Sequence, residues 1–132
     1  MIPTSELDLQ RTCMDWVSIM RQRDQRFWQV FAVPNAGRRG YVAQRRFRLE
    51  GGQAGVSDIL IFHPSDCGHY HGAALELKVG KNRLTQAQAR FLERSLAAGM
   101  LVRVIKDFDL FQRVLMEFFG YQTPLEILQA AG

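Results

Sequence analysis

The sequence predicts an α/β domain in which a mixed β-sheet is covered by helices on both faces, with residues 1–132 in one unit. Three observations predict it. An amphipathic stretch opens the chain. Two short apolar runs, VSDILIFH and HGAALELKVG, are joined by the turn-rich PSDCGHY, a linker short enough for an antiparallel hairpin. A helical stretch, TQAQARFLERSLAAG, then links the second run to a further strand-like run, MLVRVIK, which is the pattern of a parallel strand–helix–strand crossover. At 132 residues, with 47% hydrophobic and 23% charged residues, the chain is large enough for a single core and globular in composition.

Each element has its own signal. From Ser5 to about Arg21, Leu9, Cys13, Trp16, Val17 and Met20 recur at spacings of three and four, one apolar stripe of a helix. Ser5 is placed to cap it, and Glu6 and Asp8 lie in the first turn, where the helix dipole favours carboxylates. RFWQVFAV is rich in aromatic and β-branched residues and reads as a strand, ended by the turn signal PNAG. The basic segment from Tyr41 to Leu49 is open between a short strand and an irregular arm, and it runs into EGGQAG. Ala87, Phe91, Leu92 and Leu96 give the next helix its stripe, and Gly99 stops it. DFDLFQRVLMEFFG predicts a helix from about Asp107, and TPLEILQAAG a final short one with Pro124 in its first turn. Phe108, Phe111, Phe118 and Phe119 fall at helical spacing and are assigned to the core ahead of a dimer contact.

The opening MIPTSELDLQ lacks the basic and apolar regions of a signal peptide, and no apolar run approaches the roughly 20 residues that span a bilayer. The expectation is a cytoplasmic protein of a bacterial or phage-infected cell, with Cys13 and Cys67 as reduced thiols. The net charge is +4, and residues 1–56 hold nine Lys/Arg against five Asp/Glu. Arg38, Arg39, Arg45, Arg46 and Arg48 crowd eleven positions near Tyr41 and Phe47, which suits either a polyanion or a merely solvated face.

Three charges sit in the predicted hairpin. Side chains alternate along a strand, so Glu76 and Lys78 share one face while Leu75, Leu77 and Val79 share the other. Pairing with SDILIF brings Asp58 to the same spot. Two adjacent carboxylates repel and lose hydration, and a divalent cation removes that penalty. Mg²⁺ (or Mn²⁺) takes one or two carboxylates with waters and phosphate oxygens. Asp58 and Glu76 supply the carboxylates, the Leu77 carbonyl a neutral oxygen, and Lys78 a side chain that orients water, deprotonates it as the neutral amine, or as the ammonium steadies charge on the phosphorus centre. Against this stands a plain surface salt bridge between Glu76 and Lys78.

On these residues the sequence resembles the VRR-NUC family of the PD-(D/E)XK nucleases. The likeness runs through Glu6 and Gln10, VPNAGRRG, LEGGQAGVSDILIF and ALELKVGKNRLTQAQARFLERSLAAGMLVRVI. It implies a restriction-endonuclease-like fold with an αβββαβ core. It further implies metal binding by Asp58 and Glu76, Lys78 as the motif lysine, Gln88 supporting the site, and Glu6 as an additional acidic residue. For Glu6 the plain helix N-terminal charge is the preferred reading. Thr85 and Gln88 also form the pattern of a capping box, so that capping and site support are both open for Gln88. Ser57 stands where the family motif usually has proline.

Hydrolysis of a phosphodiester needs cations along the polymer, and Arg38, Arg39, Arg45, Arg46, Lys81 and Arg83 are the candidates. Because the arginines are read in loops, recognition by shape rather than by base sequence is expected. The resemblance implies DNA replication or repair, and a homodimer cutting branched DNA such as Holliday junctions, two sites about a two-fold axis matching a four-way junction. A non-catalytic nucleic-acid-binding module with a nuclease fold, in a recombination or repair assembly, is the alternative. An interaction protein docking an acidic partner leaves the trio unexplained. His63, Cys67, His69 and His71 are read as a polar hairpin tip rather than a zinc cluster. GGQAG neither opens a helix nor precedes Lys-Ser/Thr, so no nucleotide cofactor is expected.

Overall fold

A computed structural model describes residues 5–34 and 41–121. The predicted final helix at TPLEILQAAG, the asparagine and glycine of the PNAG turn, and Arg38 and Arg39 lie outside the described residues. The element order is α1 (Glu6–Met20), β1 (Val30–Ala32), α2 (Tyr41–Leu49), β2 (Ile59–Ile61), β3 (Ala73–Leu77), α3 (Gln86–Ala97), β4 (Leu101–Ile105) and α4 (Phe108–Phe118). Apart from α2 and α4, this is the expected αβββαβ series.

The four strands form one sheet in the order β1-β2-β3-β4. β2 pairs antiparallel with β1 and with β3, while β3 and β4 run parallel through the α3 crossover. The mixed sheet is therefore present as expected. Leu75 and Leu77 of β3 join Ile59 and Ile61 in the main core with Leu9, Cys13, Trp16 and Val17 of α1 and Phe111 and Leu115 of α4. The other side of β3 meets α3, so helices cover both faces.

Aromatic rings close the α1 side. Trp16 meets Phe27 edge-on at 5.6 Å and Phe111 at 5.9 Å, and Phe27 lies 4.8 Å from Phe119. Phe111, Phe118 and Phe119 are buried and Phe108 packs against them, as the core assignment expects. Ser5 caps α1 by accepting from the Asp8 N–H at 3.1 Å, and Asp107 caps α4 through the Leu110 N–H at 2.7 Å. Cys13 and Cys67 are free thiols, the first buried and the second exposed.

Two expectations change. RFWQVFAV is only partly strand: Gln25–Gln29 is a turn of 3-10 helix, with Asp24 accepting from the Arg26 N–H at 3.0 Å. The aspartate supplies a local cap, and the turn drops Phe27 into the core instead of leaving it on an edge strand. The segment Tyr41–Leu49 is neither strand nor irregular arm but a nine-residue helix. Its arginines are thus on a helix, not in a loop. Ala43 and Phe47, four apart, give it an inner face, and Gly51 at φ +94° ends it in a conformation that side chains disfavour.

Candidate active site

The register of β2 and β3 builds the site. Ile59 stands opposite Leu75, so one step outward Asp58 stands opposite Glu76, their side chains on the same face. β1 fixes the Asp58 backbone, whose carbonyl accepts from the Val33 N–H at 2.8 Å. β4 fixes Lys78, whose N–H reaches the Ile105 carbonyl at 3.0 Å. A charged trio thus sits where three strands end together. It is also buried: Glu76 is 1% exposed, Asp58 6% and Lys78 8%.

Burial excludes the plain surface salt bridge. A surface salt bridge on a half-exposed strand does not describe side chains at these exposures, and the Lys78 ammonium lies nearest Glu6 rather than Glu76, at 3.9 Å. Asp58 turns one oxygen, Oδ2, onto the Leu77 N–H at 2.7 Å. The Leu77 peptide is held by that bond. Glu76 has its Oε1 engaged by the Gln88 amide nitrogen at 2.9 Å, and its Oε2 is buried without a hydrogen-bond partner. Burial, then the charge of Asp58, pushes the Glu76 carboxyl up to about 8. An ionised Glu76 is expensive here unless something positive meets its second oxygen.

Gln88 makes two contacts, one within its own helix cap and one to Glu76. Its amide oxygen accepts from the Thr85 N–H at 2.9 Å and its backbone N–H donates to Thr85 Oγ1 at 3.1 Å, completing the capping box. The same amide's nitrogen faces Glu76, so the cap aims the side chain at the site. Glu6 leaves the first turn of α1 to share one oxygen, Oε1, between Lys78 and the Asn82 amide, the latter donating at 3.1 Å.

Asn82 escaped the sequence reading, and Ser57 entered it only as a departure from the family motif. Asn82 ties the loop after β3 to α1, and nothing but its place beside Gly80 and Lys81 in a turn hints at it. Ser57 is fully buried, and its hydroxyl lacks a partner. A hydroxyl at a position expected to be proline was the signal.

Lys81 and Arg83 stand exposed in the loop between β3 and α3, and Arg45 and Arg46 stand exposed on α2, with Arg46 paired to Glu50 at 3.2 Å. The hairpin residues go to separate partners: His63 Nδ1 lies 2.7 Å from the Pro64 carbonyl, His69 packs edge-on to Tyr70, and Cys67 Sγ lies 3.5 Å from Ser65 Oγ. Among the described residues no three His, Cys, Asp or Glu side chains converge to hold a metal ion. A site of two carboxylates is the frame that a hard cation completes with water and phosphate oxygens. Also among the described residues, no helix is long and apolar enough to cross a membrane.

No family model matches the sequence, and no curated protein matches it. Among solved structures, one named "VRR_NUC domain protein" superimposes with a TM-score of 0.71 at 24% sequence identity, over 89% of this chain and 90% of that one. The chain has the VRR_NUC fold. The superposition spans nearly the whole chain, so the mixed sheet, the crossover and the helices on both faces belong to one shared architecture. Within the VRR_NUC fold as this chain builds it, Asp58, Glu76 and Lys78 lie at the common end of β2 and β3.

Proposed function

We propose that this chain is a divalent-metal-dependent DNA endonuclease of the VRR-NUC type, hydrolysing phosphodiester bonds in branched DNA such as Holliday junctions and acting as a symmetric dimer. One observation carries the reading: a carboxylate oxygen, Glu76 Oε2, buried without a partner opposite a second carboxylate. Folding two such groups together costs free energy that only a cation or a proton offsets. The name of the structure sharing the fold, and the sequence resemblance, support the same reading.

Asp58 and Glu76, with the Leu77 carbonyl, are the groups that would hold Mg²⁺ or Mn²⁺. Bound there, the ion supplies neutralisation of the carboxylates and stabilisation of charge developing on phosphoryl oxygens. The Gln88 amide holds Glu76 Oε1 and leaves Oε2 available. Lys78, kept in place by Glu6, orients a water or takes its proton. Lys81, Arg83, Arg45 and Arg46, with Arg38 and Arg39, contact phosphates along the strand. A nucleic-acid-binding module gains nothing from buried carboxylates that repel phosphate, which puts the enzyme first.

Incubation of the purified chain with a four-way junction and a linear duplex, under Mg²⁺, Mn²⁺ or chelator, tests this. Metal-dependent cutting of the junction, lost in Asp58→Ala and Lys78→Ala variants that remain folded, is expected. Metal-independent binding with no cutting assigns the chain to the module instead. Light scattering on a size-exclusion column tests the dimer, expected at twice 15.1 kDa.

A further inference from the structure

α2 carries two aliphatic side chains on its outward face. Ala43, Gln44 and Phe47 are half-buried along one side of it, and the Phe47 ring covers Gly52 of the following turn so closely that a Cβ there would collide with it. At 3.6 residues per turn, Val42, Arg45, Arg46 and Leu49 fall in one sector on the opposite side, about 100° wide. Val42 is 78% exposed and Leu49 77%. Arg46 is engaged with Glu50, and Arg45 has no ion-pair partner among the described residues. From this helix the chain runs through Gly52 and Gly55 to Asp58, and Gly55 packs on the backbone of Ala87, next to Gln88. The outward face therefore belongs to the segment that leads into the site.

A helix of this composition, with three arginines and no acid, is complementary to a polyanion. An intact duplex offers such a helix phosphates, and aliphatic tips gain little from phosphates. Base faces are apolar and become reachable where stacking is interrupted, which is where proteins insert Leu, Ile and similar side chains. We propose that the outward face of α2 docks the open face of a base pair in a duplex whose stack is broken, Val42 and Leu49 lying on the base and Arg45 and Arg46 on the flanking phosphates. The inference rests on the nuclease reading for its branched DNA and adds the element that senses the branch.

The test measures binding by fluorescence anisotropy in chelator, using the full chain. The probes are a four-way junction with all arms closed by hairpins and a duplex with both ends closed. The double variant Val42→Ser, Leu49→Ser is expected to lose roughly ten-fold in junction affinity, the scale of removing two partly buried aliphatic groups, and nothing on the closed duplex. Arg45→Ala is expected to weaken both alike and to flatten the logarithmic salt dependence by about one. Both changes are on exposed positions, so melting midpoints matching the parent are required and expected.

Unchanged junction affinity in the double variant, equal loss on both DNAs, or no DNA binding overturns the proposal. So does Val42- and Leu49-dependent binding to phosphatidylserine vesicles with DNA binding unaltered. Cutting with Mg²⁺ is scored separately. Cutting that survives with junction affinity unchanged leaves the nuclease reading standing alone. Selective loss of junction binding in a chain that never cuts supports the role of α2 and retires the nuclease.

Discussion

At the scale of the residue, Gln88 joins two jobs that mutation can separate. Its amide oxygen closes the helix cap and its amide nitrogen fixes the Glu76 carboxylate. Thr85→Ala removes the hydroxyl half of the cap and leaves the Glu76 contact possible, whereas Gln88→Ala keeps the hydroxyl half, made by the backbone, and removes the amide half together with the Glu76 contact. Each is expected to cost about 1 kcal/mol of stability, read from urea unfolding. Only Gln88→Ala should reduce cleavage, by roughly 10–100-fold, the usual effect of losing a group that orients a metal ligand. Equal cleavage by the two variants would reduce Gln88 to a cap. The cap was legible because a Thr-X-X-Gln spacing is local, and the strand alternation placing Glu76 with Lys78 is local too, whereas a contact from Gln88 to the trio was implied only by the family resemblance. The Glu6–Asn82 contact was illegible. Those residues are 76 positions apart, and an exposed loop asparagine carries no pattern that names its partner.

At the scale of the element, the segment between β1 and β2 shows what local signals hide. Tyr, Val and Phe favour strands, and five arginines in eleven positions mask any apolar stripe, so Tyr41–Leu49 carried no clear period. Local packing of the Phe47 ring on Gly52, in the turn that follows the helix, supplies what propensity did not. The glycines that follow were legible as turns but not in their separate functions. Gly55 has φ +85°, and a Cβ there would lie 2.5 Å from the Ala87 carbonyl carbon and oxygen. Gly51 has φ +94° with open space around it. Gly51→Ala is therefore expected to cost only the conformational penalty, about 1–2 kcal/mol. Gly55→Ala adds a clash against backbone that cannot swing aside, about 1–3 kcal/mol more. Urea midpoints check the order, and the same loss in both variants would mean that the 50–57 loop does not lean on α3. Gly55→Ala should also slow cleavage, since the displaced loop carries Asp58.

At the scale of the whole molecule, the sheet sets a stable apolar side against a polar end that folding alone leaves unsatisfied. Without a cation, Glu76 holds a proton in the fold up to about pH 8, while in the unfolded chain it releases that proton near the ordinary 4.5. Between those values the folded state binds more protons than the unfolded one, so stability falls as pH rises from about 4.5 and levels off above about 8. The sign is opposite to that of a salt-bridged carboxylate. Glu76→Gln keeps an oxygen for the Gln88 amide and removes the charge, so it should melt higher than the parent at pH 8 and close to it at pH 5. A bound cation works the other way. It requires Glu76 ionised, so its affinity should weaken roughly ten-fold for each pH unit below 8, about a hundred-fold by pH 6. At a concentration a hundred times Kd at pH 8, Mn²⁺ should add about 2.7 kcal/mol, and at pH 6 well under half of that. Thermal melts of parent and Glu76→Gln, with and without Mn²⁺, at the two pH values check every arm. A Mn²⁺ shift that is the same at both pH values, or that survives Glu76→Gln intact, would place the cation elsewhere and leave the buried pair to share a proton instead.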